Sequence, residues 1–134
     1  MHHVEDFMRE YFSARIAEEQ RHQTSRLPFR NKFYADDCRY DSRADTLMRM
    51  ESEKIVSIDE GKSDSMVITE QTRCNSGGIK KMSFRYHLQT VNEGWVIRAV
   101  DIACVVCGGR GDNSCPYCKG KRWVNAGRKW VNPE

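Results

Sequence analysis

Four cysteines are set as two Cys-x-x-Cys pairs, Cys104/Cys107 and Cys115/Cys118, in the stretch CVVCGGRGDNSCPYCKG. Each pair presents two thiolates at one point, and two such pairs suit tetrahedral zinc. Gly108, Gly109 and Gly111 between the pairs let the chain turn back and aim backbone N–H groups at the sulfurs. Zinc on Cys104, Cys107, Cys115 and Cys118 is the expected chemistry, with a disulfide pair or a rubredoxin-like iron as the alternatives. Four thiolates fill every coordination position, so the metal is expected to be a structural clamp and not a Lewis acid. A tail of about 30 residues is too small to fold on an apolar core, and metal binding would supply its folding energy.

Two further groups of residues carry candidate chemistry. In the tail, Lys121-Arg122-Trp123-Val124-Asn125 is echoed by Arg128-Lys129-Trp130-Val131-Asn132, with Asn125-Ala126-Gly127 as a candidate hairpin turn. Lys121, Arg122, Trp123, Arg128, Lys129 and Trp130 form a candidate interaction surface. One reading is nucleic-acid binding, with tryptophans stacking bases and cations on phosphates. The other, which is the expectation, is that the tryptophans pack the ribbon on the domain or on its twin. In the first part of the chain, Tyr34, Tyr40, Tyr86, Trp95 and Asp101 are candidates to line a pocket. A proton abstraction there would need a carboxylate base and a tyrosine or protonated acid to hold the oxyanion. No motif marks such an acid, and His87, adjacent to Tyr86, falls on the opposite face of any strand. Cys38 and Cys74 have no Cys-x-x-Cys partner and read as plain thiols.

The elements that must position these residues follow from periodicity. Val4, Phe7, Met8, Tyr11, Phe12 and Ile16 recur at helical spacing, predicting an amphipathic helix from residue 4 to about 22. Pro28 suits the first turn of a short second helix through Phe29, Phe33 and Tyr34, ending near Asp36-Asp37. From residue 54 the period changes to two, and KIVSIDE, SMVITEQTR, KKMSFRYHLQTV and GWVIRAVDIAC read as strands. Gly61–Asp64, Asn75–Gly78 and Asn92–Gly94 punctuate them as hairpin turns. In the last strand Trp95 and Ile97 have one parity and Val100 and Ile102 the other. A bulge near Arg98–Ala99 would put all four on one face, turn Asp101 to the other, and sharpen the curvature of the sheet.

The chain has 134 residues and a net charge of +3, with 31% charged residues. That length fits one domain with a small appendage, and the net charge is too small to argue for nucleic acid. Residues 104–134 hold 6 Lys/Arg against 2 Asp/Glu, a mild basic bias that four thiolates on a divalent metal would halve. No apolar run approaches the roughly 20 residues that span a bilayer, and the start, MHHVEDFMREYF, lacks the apolar stretch of a signal peptide. A cytoplasmic location with reduced thiols is the expectation.

The order of elements and the closing GWVIRAVD resemble the nuclear-transport-factor-2-like superfamily, which includes SnoaL-type cyclases and ketosteroid-isomerase-type proteins; the likeness covers roughly residues 4–103. The tail stretch Cys104-Val-Val-Cys107-Gly-Gly109-Arg-Gly111 is similar to the Cys-x-x-Cys-x-Gly-x-Gly repeat of the DnaJ cysteine-rich region. Cys115-Pro-Tyr-Cys118-Lys-Gly120-Lys121 matches it with Arg122 in place of the second glycine. Two repeats stand where DnaJ has four, and no J-domain precedes them, so the resemblance implies the metal ligands and not unfolded-protein binding.

Together these readings predict an α+β fold: N-terminal helices packed on a curved antiparallel sheet, a cystatin-like cone, over residues 1–103, and a four-cysteine zinc ribbon over 104–134. The resemblance implies a homodimer and activities from isomerases and dehydratases to binding and immunity-type proteins. The expected function is a non-catalytic binding or interaction protein with a structural zinc and a protein partner. The alternative is a small-molecule enzyme of isomerase, cyclase or dehydratase type with its pocket inside the cone.

Overall fold

The computed structural model describes residues 3–20, 31–38, 49–104, 113–114 and 119–125. One helix, α1 (Val4–Gln20), precedes β1 (Arg49–Glu60), β2 (Asp64–Asn75), β3 (Gly78–Val91), β4 (Gly94–Ala103) and β5 (Trp123–Asn125). The strands form one antiparallel sheet in the order β1-β2-β3-β4-β5. No helix among the described residues is long and apolar enough to cross a membrane.

Local chemistry sets the meander. At the β1–β2 turn, a Cβ on Gly61 would lie 2.4 Å from the Asp64 carbonyl oxygen, so the turn closes only around glycine. At the next turn the Asn75 side chain accepts from Gly77 N at 2.8 Å. Asn92 and Glu93 both have positive φ, the primed-turn geometry that matches strand twist. Along β2, residues 65, 67, 69, 71 and 73 are buried in strict alternation.

The bulge inferred from parity lies where the sequence places it. His87 pairs with Ala99 and Leu88 with Ile97, which leaves Arg98 as the extra residue. Trp95, Ile97, Val100 and Ile102 consequently share the buried face. β1 carries two similar register shifts, at Met50/Ser52 and Ile55/Ser57. The second leaves Val56 exposed and returns Ile58 to the side of Ile55.

The helix covers that face. Val4, Phe7, Met8, Tyr11 and Phe12 join Val67, Phe84, Tyr86, Leu88, Trp95 and Ile97 in one core. Burial of this apolar area is the main favourable contribution to folding. Tyr11 sits at its centre, edge-on to Phe33, Tyr34 and Tyr86 at ring separations of 5.5–5.8 Å. The predicted stripe is corrected at its end: Arg15, four residues after Tyr11, is fully buried, and Ile16 is only half-buried.

The end of the predicted second helix is also corrected, while its start at Pro28 and Phe29 lies outside the described residues. Residues 31–33 make a helical turn, but Tyr34 leaves it and forms a parallel bridge with Ile97 on the outer edge of β4. Ala35 N donates to Ile97 O at 2.8 Å. The backbone groups that the Arg98 bulge would otherwise leave open at Ile97 are thereby used. Further along the same edge, β5 pairs with Asp101–Ala103. The tail's first basic-aromatic segment is therefore a strand of the main sheet, with Val124 against the core and Trp123 on the outer face.

Candidate functional site

A buried polar cluster lies between α1 and the sheet, at the β1–β2 side. Glu53 projects from β1 with no side-chain exposure, opposite Gln71 of β2. Its Oε2 accepts from Tyr86 OH at 2.5 Å and from Thr69 Oγ1 at 2.6 Å. Its Oε1 accepts from Gln71 Nε2 at 3.0 Å, with Arg15 Nη1 at 3.4 Å. Arg15 Nη1 also donates to Tyr86 OH at 3.1 Å and lies 3.4 Å from Tyr11 OH. The hydroxyls of Tyr11 and Tyr34 are 2.5 Å apart, and Arg73 Nε donates to Gln71 Oε1 at 2.5 Å. A buried ion pair survives only when its remaining valences are met by other donors and acceptors. Here the carboxylate is met by three neutral donors in addition to the guanidinium. To act as a base on a bound molecule, Glu53 would first have to give up Tyr86 or Thr69.

A second polar cluster occupies the opposite face. Asp101 Oδ2 accepts from Arg85 Nε at 2.9 Å and lies 2.8 Å from Arg85 Nη2. His87 Nε2 is 2.6 Å from the same oxygen. The Arg85 guanidinium in turn lies 4.9 Å from the centre of the Trp123 ring. Burial pushes the Asp101 carboxyl up, but the hydrogen bonds from His87 and Arg85, with their charges, outweigh it and hold the carboxyl below its usual range. A lowered carboxyl pKa adds stability that is complete above the unfolded value of about 3.9 and is lost as pH falls through the folded value. The stability difference between the protein and Asp101→Asn, followed by urea unfolding, should therefore be constant near neutrality and shrink only well below pH ~4. A difference that disappears already between pH 7 and 5 would remove this carboxylate from the account.

The flanks of the cysteine stretch meet at the edge of the sheet. Cys104 is buried, and its N–H donates to Arg122 O at 2.8 Å, so the two flanks of the cysteine stretch are in contact. Lys119 and Gly120 both have positive φ, and a Cβ on Gly120 would fall 2.4 Å from Asn113 Oδ1. Tight left-handed turns of this kind point backbone N–H groups to one side.

Of the candidates from sequence, Tyr34 and Tyr86 are brought together through Tyr11 and Arg15 on the helix-facing side. Trp95 is on that side too, buried in the core. Asp101, a candidate for the pocket, lies on the outer face, the side to which the bulge expected near Arg98 turns it. Lys121 and Arg122 are exposed, and Trp123 is half-buried with Arg85 against its ring. Tyr40, Cys107, Cys115, Cys118, Arg128, Lys129 and Trp130 lie outside the described residues. Among the described residues no three His, Cys, Asp or Glu side chains gather as a metal site; Cys104 is the one predicted ligand in that set. Glu53, Arg15, Thr69 and Gln71 were not singled out by sequence reasoning. The available signal was Arg15, which continues the spacing of Val4, Met8 and Tyr11.

The class defined by these observations is an α+β domain: among the described residues, helix α1 over a curved five-stranded antiparallel sheet, with a buried ion pair between Arg15 and Glu53 in its core. No family model, no curated protein and no solved structure matches the chain.

Proposed function

We propose that the chain is a non-catalytic binding protein, a nuclear-transport-factor-2-like half-cone whose tail carries a structural zinc. The observation that carries this reading is the state of Glu53, which is enclosed and engaged by Tyr86, Thr69, Gln71 and Arg15. A catalytic carboxylate needs a free lone pair within reach of the proton it takes. The zinc reading is supported by the contact of Cys104 with Arg122, which closes the cysteine stretch into a loop, and by the turn at Lys119–Gly120. Such a loop is what two Cys-x-x-Cys pairs on one centre would require, and Cys104, Cys107, Cys115 and Cys118 would hold the metal as thiolates. Bound zinc would supply cross-linking there, in place of a core the tail is too short to build. Trp123 then docks the tail, with Arg85 against its ring. A homodimer and a protein partner belong to the same proposal.

The second reading, an isomerase-type enzyme, draws on one observation: Tyr11, Tyr34 and Tyr86 hydroxyls converge with a carboxylate on the helix-facing side. Such a group of donors holds oxyanions when a ligand reaches it. Titration with 2-naphthol, a phenol that mimics a dienolate, separates the readings. The expected result is no saturable amide shift at Glu53, Thr69 or Tyr86. Saturable shifts there would establish an open cone and overturn the non-catalytic reading.

A further inference from the structure

The outer face carries a depression of about 440 Å3 at the β1–β2 turn end of the sheet, within the range of ligand pockets. Its walls have opposite charge. Asp59 on β1 lies across from Met66 of β2, and Met66 from His87 of β3, so all three share the outer face with Asp64. Arg98, the bulged residue of β4, reaches the same side, where its Nη1 donates to Gln89 Oε1 at 3.1 Å. Acids therefore stand on the β1–β2 side and basic groups on the β3–β4 side, with Met66 as an apolar floor between them.

The basic wall is held in place. His87 Nε2 is on Asp101, Asp101 is on Arg85, and Arg85 lies against Trp123 of the tail. Fixing one ring nitrogen orients the imidazole, and Nδ1 is the nitrogen it has for a ligand. Asp64 lies opposite Gln89 and so diagonally from His87, about 7–8 Å apart at the backbone, and Asp59 and Arg98 lie three strand spacings apart, about 14 Å. An extended dipeptide spans about 7 Å between its charged ends. We propose that this depression binds a short zwitterionic peptide, with its ammonium group at Asp59 and Asp64, its carboxylate at His87 and Arg98, and an apolar side chain on Met66. The proposal rests on the reading of the domain as a binder and gives that reading a ligand class.

The test is an amide-shift titration of the whole chain with leucyl-leucine, N-acetyl-leucyl-leucine and leucyl-leucinamide. The free dipeptide should shift Gly61, Met66, His87 and Arg98 saturably, and each blocked form should bind about two- to fivefold more weakly, the range of an exposed ion pair. Asp64→Asn should reduce the difference between the free and acetylated forms, and Asp59→Asn with Asp64→Asn erase it; Arg98→Gln should reduce that between the free and amidated forms. These side chains are at exposed positions, so none of these variants should unfold the domain. Trp123→Ala should weaken the free dipeptide by a similar factor through His87. No saturable shift by about 10 mM, shifts elsewhere on the chain, or equal affinity for the three peptides would overturn the proposal. Unchanged affinity in Trp123→Ala would overturn the role of the tail. Naphthol binding at Tyr86 would overturn the non-catalytic reading and leave this one standing, so the two fail separately.

Discussion

Glu53→Ala should cost about 3–5 kcal/mol of folding stability, because it removes a buried carboxylate that the enclosed Arg15 guanidinium faces. Both side chains have no exposure, so solvent does not screen their interaction. The loss does not stop at the ion pair. Tyr86, Thr69 and Gln71 each lose an acceptor, and a buried donor left unmet costs about 1–3 kcal/mol. Domains of this size hold about 5–15 kcal/mol in all, so the variant should be close to unfolded at ambient temperature. Replacing both charges, as Glu53→Leu with Arg15→Met, should recover only the part of the loss that comes from the uncompensated charge, since the donors of Tyr86, Thr69 and Gln71 still lack their acceptor. Urea unfolding of the two single variants and the double variant gives the coupling directly. A cost under ~1 kcal/mol for Glu53→Ala would mean that water reaches the pair, and would reopen the cone as a pocket.

Removal of the metal should have the second large effect, confined to the tail. Elemental analysis of the purified protein is expected to give one zinc per chain. Binding free energies for such sites run to about 10–16 kcal/mol near neutral pH, so chelation removes nearly all that orders the tail. The Cys104–Arg122 contact and the pairing of β5 with Asp101–Ala103 should be lost together. Amide exchange at residues 101–103 and 123–125 should rise to the rate of unprotected chain, and Arg85 should lose its ring partner. The helix and β1–β4 should persist on their own core. Cys104→Ser should reproduce this with metal present. Absence of zinc and iron, with two disulfides in the tail, would refute the clamp.

Much of the sheet was legible in the sequence because its positions alternate over apolar and β-branched residues. The parity switch between Ile97 and Val100 was enough to locate the bulge, since only an inserted residue keeps both sides of it buried. The buried cluster was not legible, for a physical reason. Glu53 falls in Arg49–Glu53, a run so polar that the strand was expected to begin at residue 54, whereas β1 begins at Arg49. Thr69, Gln71 and Arg73 were read within a strand, but polar residues at alternating positions normally face water. They face inward here because each has a partner there, and partnership between distant residues leaves no trace in local pattern. The pairing of the tail strand with β4 was not legible for a related reason. Trp123-Val124-Asn125 carries a strand's composition, but composition does not say whether it pairs with its own repeat or with β4.

The two edges of the sheet are closed by unlike means. On β4, Tyr34–Ala35 occupies Ile97 and β5 occupies Asp101–Ala103. On β1, two register shifts break the regular ladder, and Lys54, Asp59 and Glu60 stand exposed along it. Strands that are bulged, charged or already paired make poor templates for a neighbour's backbone. The chain should thus keep a long, curved sheet in concentrated solution without stacking copies edge to edge into fibres. Its protection is uneven, however. The β1 edge is guarded by residues built into the strand, and the β4 edge partly by a tail that, on the zinc proposal, would depend on its thiols. Oxidative loss of that tail would expose fresh ladder, and the earliest sign of damage in this protein should be self-assembly starting from β4, well before the helix and the core come apart.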